Sequence, residues 1–167
     1  MEQTVEQTKK EILKYIGKNS KTDIKELSIL LDIDEMTIAG LIAEMESEKV
    51  ICGYHTLVNW EKLGIDKVTA LIEIKVAPIR GEGFDKVADR VSNYPEVTDS
   101  YLISGEFDMM VILEGRTLLE VSQFVSQKLS PIEGVLSTST HFILKRYKEH
   151  GTCISAKERV ERMPVTP

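Results

Sequence analysis

The chain has 167 residues, of which 42% are hydrophobic and 29% charged, ordinary values for a globular protein in water and enough length for one medium domain or two small ones. No apolar run approaches the roughly 20 residues that a membrane-spanning helix needs, so no membrane role is expected. The formal net charge of −6 excludes a globally basic surface. Any contact with phosphates has to come from a local basic surface, because DNA affinity rests largely on Lys and Arg displacing counterions.

The first ten residues are polar, with two Glu and two Lys, unlike the basic start and apolar core of a secretory leader. A cytoplasmic location is the expectation, with Cys52 and Cys153 as incidental thiols. Residues 1–50 hold no proline, whereas Pro78, Pro95, Pro131, Pro164 and Pro167 all lie further on. Val5, Ile12, Leu13 and Ile16 recur at helical spacing and residues 17–20 supply a stop, which predicts a first helix. Thr22 or Asp23 can cap a second, with Glu26 as a capping-box partner and Ile24, Leu27 and Leu31 facing inward. Asp34 caps a third, in which Ile38, Leu41, Ile42 and Met45 form a one-sided apolar stripe. Two short helices joined by a short turn, behind a supporting helix, have the layout of a helix-turn-helix. Residues 50–59 then read as β with a tight turn at Gly53-Tyr54, which fits a wing and a hinge strand. Trp60-Glu61-Lys62-Leu63-Gly64 reads as a helical connector ended by glycine.

From Val68 the periodicity changes to two. Ala70, Ile72, Ile74 and Val76 face one side, with Thr69, Glu73 and Lys75 on the other. Pro78 and residues 81–83 break this strand, and Phe84, Val87, Ala88 and Val91 mark a helix that ends before Pro95. Residues 97–103 and 109–113 predict a hairpin around Ser104-Gly105-Glu106-Phe107-Asp108, where Gly105 can take a positive φ. Leu118, Val121, Phe124, Val125 and Leu129 mark another helix, stopped at Ser130-Pro131, and residues 135–144 predict a last strand. The order βαββαβ is that of a ferredoxin-like α+β domain, with one antiparallel sheet and both helices on a single face. The other face is left bare on a small domain, which argues for a homodimer or a higher homo-oligomer.

With these elements in place, the sequence resembles the Lrp/AsnC (feast/famine) family of transcriptional regulators. The resemblance rests on Val50-Ile51-Cys52-Gly53-Tyr54 and Glu61-Lys62-Leu63-Gly64 between the two halves and on Pro95-Glu96-Val97. It continues through Ser104-Gly105-Glu106-Phe107-Asp108 and Ile132-Glu133-Gly134-Val135, which leads into Ser137-Thr138-Ser139-Thr140. It covers roughly residues 6–148. It implies a winged helix-turn-helix DNA-binding domain over residues 1–52 and a hinge strand and connector over 53–66. A βαββαβ effector-binding and oligomerisation domain over 67–148 and a C-terminal tail over 149–167 complete the expectation.

The resemblance implies double-stranded DNA and a small-molecule effector, an amino acid or related metabolite, as partners. For the effector it implicates Ser104, Gly105, Phe107, Asp108, Thr138 and Thr140. That set makes chemical sense, since an ammonium seeks a carboxylate such as Asp108 and a carboxylate seeks hydroxyls and backbone N–H groups near Gly105. The alternative is ordinary turn chemistry at Gly105 and Asp108 beside a hydroxyl-rich strand. For DNA, phosphate contacts fall to Lys21, Lys25 and Lys49, with Lys9 and Lys10 in reserve, to the hydroxyls of Thr22 and Thr37, and to helix N-terminal amides. Base contacts fall to Thr37 and to Glu35.

The third helix departs from the family pattern in carrying no basic residue, and residues 1–50 hold seven Lys, no Arg and eleven Asp or Glu. A ligand-binding or oligomeric module whose helix-turn-helix no longer reads DNA is therefore the competing expectation. An enzyme ranks last. His141 and His150 lack a nucleophile and orienting acid, and Cys52 with His55 makes only half a metal site. No Gly-rich phosphate loop follows a strand. Neither metal nor cofactor is expected.

Overall fold

The computed structural model describes residues 2–78 and 83–154. The predicted break at residues 79–82 and the chain after residue 154 lie outside the described residues. Two compact units are resolved, Met1–Val58 and Asn59–Pro167.

In the first unit α1 (Glu2–Ile16), α2 (Ile24–Leu31) and α3 (Glu35–Ser47) follow one another. Of the two candidate caps for α2 the structure uses Asp23, which accepts from the Glu26 N–H at 2.7 Å. Only Asp32, Ile33 and Asp34 separate α2 from α3, and Asp32 turns the chain in the left-handed region at φ 54°, which Asp tolerates better than most side chains. Ile12, Leu27, Ile38 and Met45 are wholly buried, one or two from each helix, so no pair of these helices carries a closed core without the third. Two residues expected to face inward do not. Val5 is 46% and Ile24 38% exposed, Val5 near the start of its helix and Ile24 at the edge of an open cleft.

The predicted wing is corrected. Residues 50–59 hold no strand. The Val50 and Ile51 N–H groups both donate to the Met45 carbonyl, at 2.9 and 3.0 Å, and finish α3. Tyr54 Oη donates to Glu46 at 2.8 Å, which folds the chain back against the helix. A ribbon of two short strands is marginal without a third element to pack on, and here the helix end takes the backbone donors instead.

The second unit opens with a 3₁₀ turn, Trp60–Leu63, capped by Asn59 and closed by Gly64 at φ 69°. Then come β1 (Val68–Val76), α4 (Asp85–Ser92), β2 (Val97–Leu102), β3 (Met109–Gly115), α5 (Leu118–Phe124) and β4 (Val135–Phe142). The sheet is fully antiparallel in the order β2-β3-β1-β4, the ferredoxin-like arrangement that βαββαβ implies. Beyond α5 the chain widens into a π turn, Val125–Leu129, closed by a bond from the Ser130 N–H to the Val125 carbonyl at 2.8 Å. The wider turn buries Leu129, while Leu118 at the helix start is 56% exposed.

Ala70, Ile72, Ile74 and Val76 of β1 and Met109, Val111 and Leu113 of β3 form the floor of the second core. Val87 and Val91 of α4 and Val121 and Phe124 of α5 cover it. β4 ends two residues early, at Phe142, and Leu144 is 95% exposed. The segment expected to begin a tail instead forms a small ribbon, β5 (Lys148–Glu149) with β6 (Thr152–Cys153).

Candidate functional site

Two surfaces carry candidate chemistry, one in each unit. In the first, the buried side of α3 is fixed by Ile38 and Met45, so helical geometry turns Met36, Gly40, Ala43 and Ser47 outward at i, i+4, i+7 and i+11; all four are exposed. The start of this helix is held by Asp34. Its carboxylate accepts both the Thr37 N–H at 2.8 Å and the Thr37 hydroxyl at 2.6 Å. Those two bonds, the hydroxyl one first, hold the Asp34 carboxyl below the usual carboxylate range. Thr37 has thus given its proton inward, and towards a ligand it offers only lone pairs.

The basic residues divide into two sets. Lys9 lies 3.0 Å from Glu44 and 3.6 Å from Glu48, and these partners, Glu44 first, hold its ammonium above the ordinary lysine range. Lys10 pairs with Glu6 at 3.1 Å and Lys14 with Glu11 at 2.5 Å. Lys9 and Lys10, held in reserve by the sequence reading, are therefore occupied. Lys18, Lys21, Lys25 and Lys49 are exposed, with no carboxylate partner among the described residues. Thr22 donates its hydroxyl to the Asn19 carbonyl at 2.8 Å. Together with Lys25, Ile16, Ile24, Ile42 and Tyr54 it lines a cleft of about 500 Å³. Lys21 is next to that group in the chain, and Glu35 and Thr37 share the first turn of α3. Lys49 stands apart, just past the other end of α3 at φ 61°, about 18 Å along the axis from Thr37 at 1.5 Å per residue.

In the second unit the β2–β3 loop is closed by the Ile103 N–H on the Asp108 carbonyl at 2.9 Å. Gly105 in its middle has φ 154°, outside what side chains commonly adopt. Three further contacts fasten the loop to β1. The Asp108 N–H donates to the Ile74 carbonyl at 3.0 Å, the Val76 N–H to Asp108 Oδ2 at 2.9 Å, and Lys75 Nζ to the Glu106 carbonyl at 2.5 Å. Lys75 Nζ also lies 3.7 Å from Asp108 Oδ2. One Asp108 oxygen is thus committed to backbone, while Oδ1 accepts nothing from the described residues.

Thr138 and Thr140 pair with Ile74 and Ile72, so they lie half-buried on the helix-bearing face, and Ser137 and Ser139 alternate to the other. The sheet brings Ser104, Gly105, Phe107, Asp108 and Thr138 to one end. β1 lies between the loop strand and β4, which separates them by about 10 Å at two strand spacings. Thr140 sits one row further in.

The sequence reading missed a cluster at the opposite end of the sheet. Arg146 donates to Thr69 Oγ1 and, at 3.3 Å, to Glu114 Oε1, and lies 3.7 Å from Glu149. Lys67 reaches the other Glu114 oxygen at 3.0 Å. Burial pushes the Glu114 carboxyl up, but the Lys67 and Arg146 contacts outweigh it and hold it below the ordinary range. Thr69, on the side of β1 opposite Ala70, Ile72 and Ile74, is only 4% exposed as a result. The rest of that face is uncovered by helix, and on it His141 Nε2 meets Glu73 at 3.0 Å and Ser139 at 3.2 Å.

A helix-turn-helix unit followed by a ferredoxin-like sheet unit with an exposed loop at one end is the layout of a two-domain regulator. Residues 69–153 match the family model for the Lrp/AsnC ligand binding domain. The chain is 40% identical over 158 residues to the HTH-type transcriptional regulator YugG of Bacillus subtilis, covering 94% of this chain and 95% of that one. It is 31% identical over 140 residues to the HTH-type transcriptional regulator FL11 of Pyrococcus furiosus, covering 84% and 89%. Among solved structures, a transcriptional regulator from Neisseria meningitidis in complex with L-Met superposes with a TM-score of 0.68 at 22% identity, over 85% of this chain and 91% of the other. The chain belongs to the Lrp/AsnC family and is an effector-responsive transcriptional regulator. The relatives it matches are regulators rather than enzymes, and no helix among the described residues is long and apolar enough to cross a membrane.

Proposed function

We propose that this regulator binds double-stranded DNA through α3 and the free lysines around it, and that an amino acid or closely related metabolite tunes that binding from the β2–β3 loop. The observation that carries the reading is the unspent polarity of the loop. Asp108 Oδ1 accepts no hydrogen bond among the described residues, while the bonds to Ile74, Val76 and Lys75 fasten the loop to β1. A free amino acid would place its ammonium against Asp108. Its carboxylate would meet the hydroxyls of Ser104 and Thr138 and the amides around Gly105, with Phe107 and Thr140 lining the site. The L-Met bound by the Neisseria protein supports that class of ligand. Lys21, Lys25 and Lys49 would hold phosphates, Thr22 adds a hydroxyl, and Glu35 and Thr37 would meet base edges as acceptors.

Assembly follows from the sheet. Leu71, Met110, Ile112 and Tyr101 alternate onto the face that carries no helix, and a second copy in the cytoplasm would cover it. Light scattering on the full chain should give a dimer or a larger closed ring at micromolar concentration, and a monomer would remove this part of the reading. The functional division proposed for the chain is 1–52, 53–66, 67–148 and 149–167.

A second reading has its own observation. With no cation on α3 and Lys9 and Lys10 engaged by carboxylates, the first unit would serve as a packing or protein-binding module. A mobility-shift experiment on the DNA upstream of the protein's own gene separates the two. A retarded band that an amino acid strengthens or weakens supports regulation through DNA. Ligand-induced thermal stabilisation without any band supports the module.

A further inference from the structure

The side chains that α3 turns outward restrict which bases it can distinguish. Guanine offers two acceptors in the major groove and is selected by donors, whereas thymine offers a methyl group and cytosine and adenine each offer an amino donor. The outward side of α3 has no free donor to give, because the Ser47 hydroxyl donates to the Glu44 carbonyl at 2.8 Å. Glu35 is an acceptor, and the Thr37 hydroxyl is bound to Asp34 at 2.6 Å. Ala39, Gly40 and Ala43 carry no polar side chain, and Lys9 ties up Glu44, which would otherwise repel phosphate, at 3.0 Å.

One apolar side chain stands out in this setting. Met36, in the first turn of the helix, is 84% exposed and contributes nothing to the core built by Ile38 and Met45. Two turns of α3 beyond it are slim, and the position a Cβ would occupy at Gly40 has nothing within 4 Å, so a surface can approach the helix backbone there.

We propose that α3 selects thymine, with Met36 packing on the C5 methyl group of a thymine in the major groove and Gly40 and Ala43 allowing the helix close to the base edges. This rests on the DNA-binding reading above and specifies its chemistry. An operator chosen in this way is read by methyl groups and amino donors, with guanine left unread by this helix.

The test uses the full-length protein and duplexes it selects from a random-sequence library at low salt. Each thymine in a selected duplex is replaced in turn by deoxyuridine, which removes the methyl and keeps the base pair. At one or more positions per half-site the affinity should fall about fourfold, the effect of one buried carbon group. That penalty should vanish in Met36→Ala and persist in Met36→Leu, with melting temperatures unchanged because the side chain is exposed. Deoxyuridine duplexes that bind the wild type as tightly as thymine duplexes would overturn the proposal, as would a penalty that survives in Met36→Ala. If the library enriches no duplex at all, the DNA-binding reading fails and this inference with it. Enrichment without methyl dependence fails this inference alone.

Discussion

The two units bury apolar surface on different scales. The helix-turn-helix closes on four wholly buried residues, Ile12, Leu27, Ile38 and Met45, and its surface is tied by ion pairs such as Lys9 with Glu44. The sheet unit packs thirteen buried residues between β1, β3 and two helices and still leaves one face without helix cover. A small core depends on every member, because each side chain is a large share of the total, whereas a large core has reserve but must dispose of its second surface. In this chain the unit with the thin core carries the helix proposed for readout and the unit with the spare face carries the loop proposed for the ligand.

Removing one member of the small core gives the largest expected effect. Leu27→Ala should cost about 2 to 5 kcal/mol, the usual range for a buried leucine, and should make the first unit melt well before the second. Hydrogen exchange on the intact chain checks this, with protection lost in 24–47 and retained in 68–76. Equal loss in both would show that the units do not fold independently.

Next in size is the loop latch. Asp108→Ala leaves the Val76 N–H without its charged acceptor, and by the range for hydrogen bonds to charged groups, about 1.5 to 3 kcal/mol, should destabilise the sheet unit as well as abolish any amino-acid-induced rise in melting temperature. Asp108→Asn separates the roles. It keeps an oxygen for Val76 and removes the charge, so stability should largely return while amino-acid binding does not. Calorimetry with the amino acid that gives the largest thermal shift decides it, and unchanged affinity in Asp108→Asn would move the ammonium site elsewhere.

How much of this was legible in the sequence depended on the range of the signal. The α3 stripe and the Asp34 cap are encoded within a dozen residues, and period-two alternation in β1 marked the core face through Ala70, Ile72 and Ile74. The wing failed because the apolar residues of 50–59 look like a strand locally, yet a strand exists only where a partner accepts its backbone bonds, and the α3 end took them. The cover over Thr69 was invisible for the opposite reason. Arg146 is 77 positions away along the chain, and no local pattern announces such a contact. The family resemblance pointed to Asp108 as a ligand contact, but its neighbours in sequence do not reveal that one oxygen holds Val76.

A smaller effect concerns acid. The Asp34 carboxyl titrates below its unfolded value, so its stabilisation of α3 is complete above about pH 4, the ordinary Asp range, and is lost as pH falls through the lower folded value. Melting followed by circular dichroism across the acid range should show the first unit weakening there. Asp34→Asn, which still caps the helix, should flatten that part of the profile. An unchanged acid limb would mean that other carboxylates set it.

The most direct test of the central claim, that an acidic helix-turn-helix still serves an effector-responsive regulator, is fluorescence anisotropy of the full chain on its own upstream duplex over a salt series, with and without amino acids. With two or three of the free lysines of each subunit on phosphates and about 0.9 in slope per phosphate, a dimer should show a log-affinity against log-salt slope of magnitude roughly 4 to 5. Lys25→Ala and Lys49→Ala should each lower it by about 2, because a dimer loses the contact in both subunits, and at least one amino acid should shift the whole curve. Folded protein that shows no binding at low salt with every amino acid present would contradict the account.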